Sequence, residues 1–297
     1  MRFNGHRRRS GALLALCLIA AAPAPDRASA LRSLVALDLR VARIGYRLST
    51  ANVALCPRRV PQTGMVLHDL QQYSGDDRKA AAATFGLGAT PAISGVVLGS
   101  VADQAGLRAG DNVLALDGQP LGSSDPKDPY ARIAKIETAT ESGPTILLVD
   151  RPDHPLPFLI SGTPGCAARV QVVPGRSLNA HADGTYVQLT DAVAHYAAND
   201  DELAAIIAHE MAHIFLGHKE RLDREGRGGS AIRKTEIEAD KLSITLLKDA
   251  GYDPRAAARF WLRFGKKTGA GIFSDGTHQR TKTRVRLLQD EANRIAQ

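Results

Sequence analysis

The sequence predicts an α+β protein, mainly helical with a small edge sheet, that also carries a separate β-rich unit. Three observations predict it. The apolar run Leu203 to Ala208 follows Asn199, with Glu202 three residues further on, which is the capping-box opening of a buried helix. Between about 80 and 163 the chain changes to short strand-like runs punctuated by turns such as Gly110-Asp111 and Asp117-Gly118. After 163, two strand-like runs flank a turn at Ala182-Asp183-Gly184, and helical patterns then continue to the carboxyl end.

Residues 1–30 read as an export signal rather than as fold. Arg2, Arg7, Arg8 and Arg9 form a basic leader, Gly11 to Ala22 is apolar, and Ala28-Ser29-Ala30 has the small-residue pattern of a cleavage site. The apolar run is too short to span a bilayer, and no later segment qualifies. The expected location is outside the cytoplasm, in a bacterial periplasm. The whole chain has a formal charge of +7, of which residues 1–30 contribute five arginines against Asp26. The remainder carries only +3, with no basic stripe interleaved with aromatics, which argues against nucleic acid as a partner. Once Cys17 leaves with the signal, Cys56 and Cys166 are an even pair in an exported chain and read as a disulfide.

Residues 31–56 form one amphipathic helix, with Leu34, Leu37, Val41, Ile44 and Leu48 on a background of arginines. Pro57 and Pro61 break it, and 57–79 reads as a linker. In 80–163 the expected elements are a short helix before Gly110, a strand over Val113–Leu116, a helix near 129–139, and strands near 144–150 and 156–161. The segment 164–297 holds the strand pair, the capped helix, a second helix over 236–248, and a third from Asp253-Pro254 whose Phe260, Trp261 and Phe264 form core.

The chemistry lies in Ala208-His209-Glu210-Met211-Ala212-His213. At 3.6 residues per turn the two histidines stack on one helix face, so both imidazoles can reach one ion. Glu210 is turned about 100° away, where it can reach a water without ligating the ion. Two neutral imidazoles and a carboxylate suit Zn²⁺ with one position open. Glu236 and Asp240 lie one turn apart on a shared face, and Glu238 points roughly the opposite way. Spacing leaves open which acid binds the ion and which accepts the outward N–H of a ligating histidine. His218 falls about 180° from His209 on a continuous helix, which argues against it as a ligand. Leu216 and Lys219 stand where the metzincin pattern needs glycine and histidine.

The strings DDELAAIIAHEMAHIFLGH and EIEAD resemble the zinc metallopeptidases that include the prenyl-protein CAAX endopeptidases, HtpX and BepA. The resemblance implies a minigluzincin-type domain with His209, His213 and Glu236 on one zinc ion, Glu210 as general base, and Asp240 supporting a ligand. VARIGYRLSTAN is similar to the helix that opens that family's catalytic domain, and ARVQVVPGRSLNAHADGTYVQLT to its edge hairpin. GTHQRTKTRVRLL resembles a carboxyl-terminal segment that places His278 near the metal and Arg284 six residues later, with Gln279 replacing the family's proline. SVADQAGLRAGDNVLALDGQPL resembles a bacterial PDZ domain, with Phe85-Gly86-Leu87-Gly88 as its peptide-binding loop. Because the family-like helix precedes this unit and the other motifs follow it, the PDZ-like domain is an insertion.

Together these imply a zinc endopeptidase acting on unfolded or extended exported proteins, in envelope quality control. The alternative is a latent or inactive peptidase that acts mainly as a protein-binding, chaperone-like factor. The sequence does not fix an oligomeric state.

Overall fold

A computed structural model of the chain describes residues 26–122, 127–268 and 281–296. The first helix, α1 (Arg27–Ala51), is capped by Asp26, whose carboxylate accepts from the Ser29 amide. It begins before the expected residue 31, so Ala28-Ser29-Ala30 lies in its first turn. Residues 1–25, with the basic leader and the apolar run, are outside the described residues. Leu37, Val41, Ile44 and Leu48 recur at helical spacing and are buried in the main core. On the same helix Arg40 and Arg43 hold Asp200 at 2.7 and 2.6 Å.

The stretch 57–79, expected as a linker, is structured. It carries β1 (Arg59–Gln62), β2 (Met65–His68) and the start of α2 (Gly75–Phe85). Pro61 reads as a breaker, but β1 pairs with one strand only, and an edge strand tolerates a residue without an N–H. The chain continues as β3 (Ala92–Val96), α3 (Val101–Gln104), β4 (Asn112–Leu116), β5 (Gln119–Pro120), α4 (Ala131–Ser142), β6 (Thr145–Asp150) and β7 (Leu156–Ile160). A six-stranded sheet of order β2-β3-β4-β6-β7, with β5 on β4, packs around Ile93, Val113, Ile136, Leu147 and Ile160. The unit thus takes in β2, before the expected start at 80.

The strand β8 (Thr163–Cys166) returns antiparallel to β1, and a Cys56–Cys166 disulfide with Cα atoms 5.3 Å apart joins the chain just before β1 to the end of β8. Next come β9 (Arg169–Val173), β10 (Ala180–Ala182) and β11 (Tyr186–Thr190), ordered β10-β11-β9. Antiparallel to β11, β10 is an edge strand; β9 runs parallel to β11. Asp183 forms the turn between them by accepting from the Thr185 and Tyr186 amides at 2.8 and 2.7 Å. Gly45 lets α1 lie against β9, since a Cβ there would meet Val170 Cγ2 at 2.5 Å.

Helices α5 (Asp191–Tyr196), α6 (Asp200–Phe215), α7 (His218–Glu225), α8 (Gly229–Asp249), α9 (Arg255–Thr268) and α10 (Thr281–Ile295) complete the chain. Leu203 to Ala208 of α6 are all buried, as their apolar run requires. Among the described residues, no helix is long and apolar enough to cross a membrane.

Candidate metal centre

The helix α6 opens at Asn199, whose side chain accepts from the Glu202 amide at 3.0 Å, while the Glu202 carboxylate reaches back to the Ala198 amide at 3.0 Å. Three turns in, its inward face changes from aliphatic to imidazole. His209 Nε2 and His213 Nε2 lie 3.2 Å apart. Across from them α8 presents Glu236, with Oε2 3.4 Å from His209 Nε2 and Oε1 3.4 Å from His213 Nε2. These three residues form a group able to hold a metal ion. Of the two acids that spacing left open, Glu236 is the one in the cluster.

Asp240, one turn on, is fully buried and takes the other role. Its Oδ1 lies 3.0 Å from His209 Nδ1. It also accepts from Arg284 of α10, at 2.7 Å from Nη2 and 2.9 Å from Nε. The Arg284 guanidinium in turn stacks on the Trp261 ring of α9 at 3.3 Å, and that ring meets His209 edge-on at 6.0 Å. Trp261 packs, partly buried, against the core beside Phe260 and Phe264, as expected, and its ring is also a wall of the site.

The charges are arranged in opposition. Burial works to raise the Asp240 carboxyl, but Arg284 and the His209 hydrogen bond outweigh it and hold it below the usual carboxylate range. Burial and Arg284 work to lower His209, but its bonds to Asp240 and Glu236 outweigh them and lift it to about 9. His213 is pushed down to about 3, first by burial and then by the His209 charge.

His218 corrects the expectation drawn from a continuous helix. The α6 helix stops at Phe215, and Gly217, at φ 58°, turns the chain so that His218 opens α7 beneath His213. It is buried, with Nδ1 2.8 Å from His213 Nδ1 and Nε2 3.1 Å from Glu238 Oε2. It does not join the metal group, yet it is not remote from it either. Glu238, expected to point away, accepts from Arg221 at 2.6 Å as well. The helix-ending glycine at 217 was the signal in the sequence that could have revealed this.

The cleft around these residues has a volume of about 350 Å³. Glu210 lines it, with β10 along one side and Ile214 and Leu222 supplying apolar surface. His278 and Gln279 lie outside the described residues.

A second depression of about 170 Å³ runs between β2 and α4, lined by Met65, Val66, Leu67, Ile133 and Ala134. The expected peptide-binding loop is not on it. Phe85 ends α2, Gly86 caps that helix at φ 66°, and Leu87 is buried beside Leu31 of α1, while Gly88 precedes the bend at 89–90 that leads into β3. Pro61 to Gly64, which lead into β2, line the depression instead. Its far side is lined by Asp38, Gly45 and Tyr46 of α1 and by β9. Arg169 of β9 bridges to α4, pairing with Glu137 at 2.7 Å and Glu141 at 2.9 Å, and donates to the Tyr186 hydroxyl at 2.8 Å.

Comparison with known proteins agrees with both halves. The family model "Peptidase family M48" matches residues 161–225, and that of the PDZ domain matches 93–141. Mitochondrial metalloendopeptidase OMA1 of Schizosaccharomyces pombe is 27% identical over 31% of this chain and 36% of its own length. The matched region therefore spans little more than a third of that relative. A crystal structure of the HtrA3 PDZ domain bound to a phage-derived ligand (FGRWV) covers 36% of this chain and 89% of that one, at 17% identity and a TM-score of 0.28.

Proposed function

We propose that the chain is a zinc-dependent endopeptidase of exported proteins, working in envelope protein quality control in a bacterial periplasm, with a PDZ-like unit that takes substrate or regulatory peptides. The observation that carries this is the convergence of three residues: His209 Nε2 and His213 Nε2 lie 3.2 Å apart, and each is 3.4 Å from one of the two Glu236 carboxylate oxygens. Ligands held tetrahedrally at zinc's usual bond lengths stand about 3.4 Å apart. His209, His213 and Glu236 would hold the ion, and two neutral imidazoles with one carboxylate are the donor set of a hydrolytic zinc site. Zinc, when bound, supplies a Lewis acid that polarises the scissile carbonyl and lowers the pKa of water. Glu210 takes a proton from the attacking water and later delivers it to the leaving amine. The edge strand β10 offers unpaired backbone to an extended substrate, which suits cleavage within a chain rather than at its end. The basic leader with its apolar run, and the disulfide at Cys56–Cys166, support an oxidising compartment.

The test is the full chain incubated with an unfolded protein, with and without chelator, with cleavage sites mapped by mass spectrometry. Glu210→Gln should retain one zinc per chain and lose cleavage. Retained cleavage in that variant, or in chelator, overturns the assignment.

One observation bears on a second reading, a latent or silent peptidase that mainly binds proteins: the depression beside β2 is lined by α1 and β9 as well as α4, so a peptide bound there would touch both units and could act without being cut. Under that reading the parent protein leaves the unfolded substrate intact while still binding it.

A further inference from the structure

We propose that His218 is a positioning residue for the metal centre: it fixes His213 with Nε2 toward the ion by accepting the proton on His213 Nδ1. The inference rests on the zinc reading above and adds to it a residue outside the ligand set.

The argument follows from the order of donors and acceptors. His213 Nε2 is the atom that faces His209 and Glu236, so it is the one available to an ion and carries no hydrogen in the loaded site. The hydrogen must then be on Nδ1, which lies 2.8 Å from His218 Nδ1. Two ring nitrogens at that distance share one hydrogen, so His218 Nδ1 is the acceptor. Its own hydrogen is therefore on Nε2, 3.1 Å from Glu238 Oε2, and a carboxylate there can only accept. Arg221 donates to the same oxygen at 2.6 Å, which anchors the far end. Every hydrogen in the line has one consistent place once a metal sits on His213.

The two ligating histidines are thus held differently. His209 gives its outer N–H directly to a buried carboxylate, Asp240. His213 gives its own to an imidazole, and the carboxylate stands one residue further out and half-exposed. Such outer partners fix the ring orientation and the tautomer of a ligand, and their loss typically costs metal affinity. The left-handed turn at Gly217 is what brings His218 into place.

Zinc affinity of the full chain, measured by competition with a chromophoric chelator, tests this without reference to catalysis. His218→Leu should bind zinc about 10 to 100 times more weakly. His218→Asn, whose side-chain carbonyl can accept from Nδ1–H, should recover part of the loss, which a general loosening of the fold would not. Glu238→Ala, at a half-exposed position, should weaken binding less than His218→Leu and decides the matter alone if His218→Leu does not fold. Stoichiometric zinc in the parent protein with unchanged affinity in His218→Leu or, failing that, in Glu238→Ala overturns the role of His218 alone. A parent protein that binds no zinc overturns the zinc reading and this inference together.

Discussion

Removing the Asp240 side chain tests the energetics of the site most directly. Asp240 has no exposed surface, and Arg284 is 5% exposed. Asp240→Ala would leave that guanidinium buried without its carboxylate, which typically costs about 3–5 kcal/mol of stability. His209 loses its outer acceptor at the same time, and zinc binding should weaken by about 10 to 100-fold. Replacing both partners by apolar groups removes the stranded charge, so Asp240→Leu combined with Arg284→Met should restore most of the stability but none of the affinity. Urea unfolding of chelator-treated protein, followed by far-ultraviolet circular dichroism, measures the first quantity and chelator competition the second. Trp261 is the only tryptophan in the chain, and its stacking on Arg284 makes its emission a local report of the same perturbation. A cost for Asp240→Ala no larger than that of a surface pair, about 1 kcal/mol or less, refutes the reasoning. So does a double variant no more stable than the single one.

Three further outcomes are expected. The Cys56–Cys166 bond closes a loop of sequence separation 110, for which chain entropy gives at most about 5 kcal/mol, so reduction should lower the melting temperature, and neither cysteine should react with a thiol reagent beforehand. Burial pushes His68 of β2 down to about 4, below its unfolded value near 6.5; the stability this gives is present above pH 6.5 and is lost as pH falls toward 4, by about 2 kcal/mol at pH 5. His68→Gln should flatten that part of the pH–stability curve, and an unaltered curve would assign the acid sensitivity elsewhere. His278→Ala should lower turnover if the imidazole stabilises the developing oxyanion, and raise it if the imidazole blocks the metal; a chelator-sensitive cleavage assay separates the two, and an unchanged rate removes His278 from the mechanism.

By itself, the sequence determined whatever depends on local order. The helical repeat placed His209 and His213 on one face and Glu210 off it, the Asn199–Glu202 cap located the start of that helix, and the cysteine pair declared its own bond. The turns at Gly110-Asp111 and Asp117-Gly118 were legible because turn residues act within a few positions.

Tertiary structure alone decided the rest. Glu236 and Asp240 share a face, and the packing of α8 against α6 puts Glu236 beside both imidazoles and Asp240 behind His209, a choice that helical spacing left open. Arg284 reaches Asp240 across 44 residues, and Trp261, packed on the core as expected, is also a wall of the cleft, with that arginine stacked on its ring. His218 was misplaced by assuming one unbroken helix; a single left-handed glycine reverses its direction, and periodicity says nothing beyond the point where a helix ends. The depression beside β2 follows the same rule. Its walls, β2 and α4, are far apart in sequence, and which loop leads into it is set by strand order in the sheet, a non-local property that the pattern Phe85-Gly86-Leu87-Gly88 does not contain.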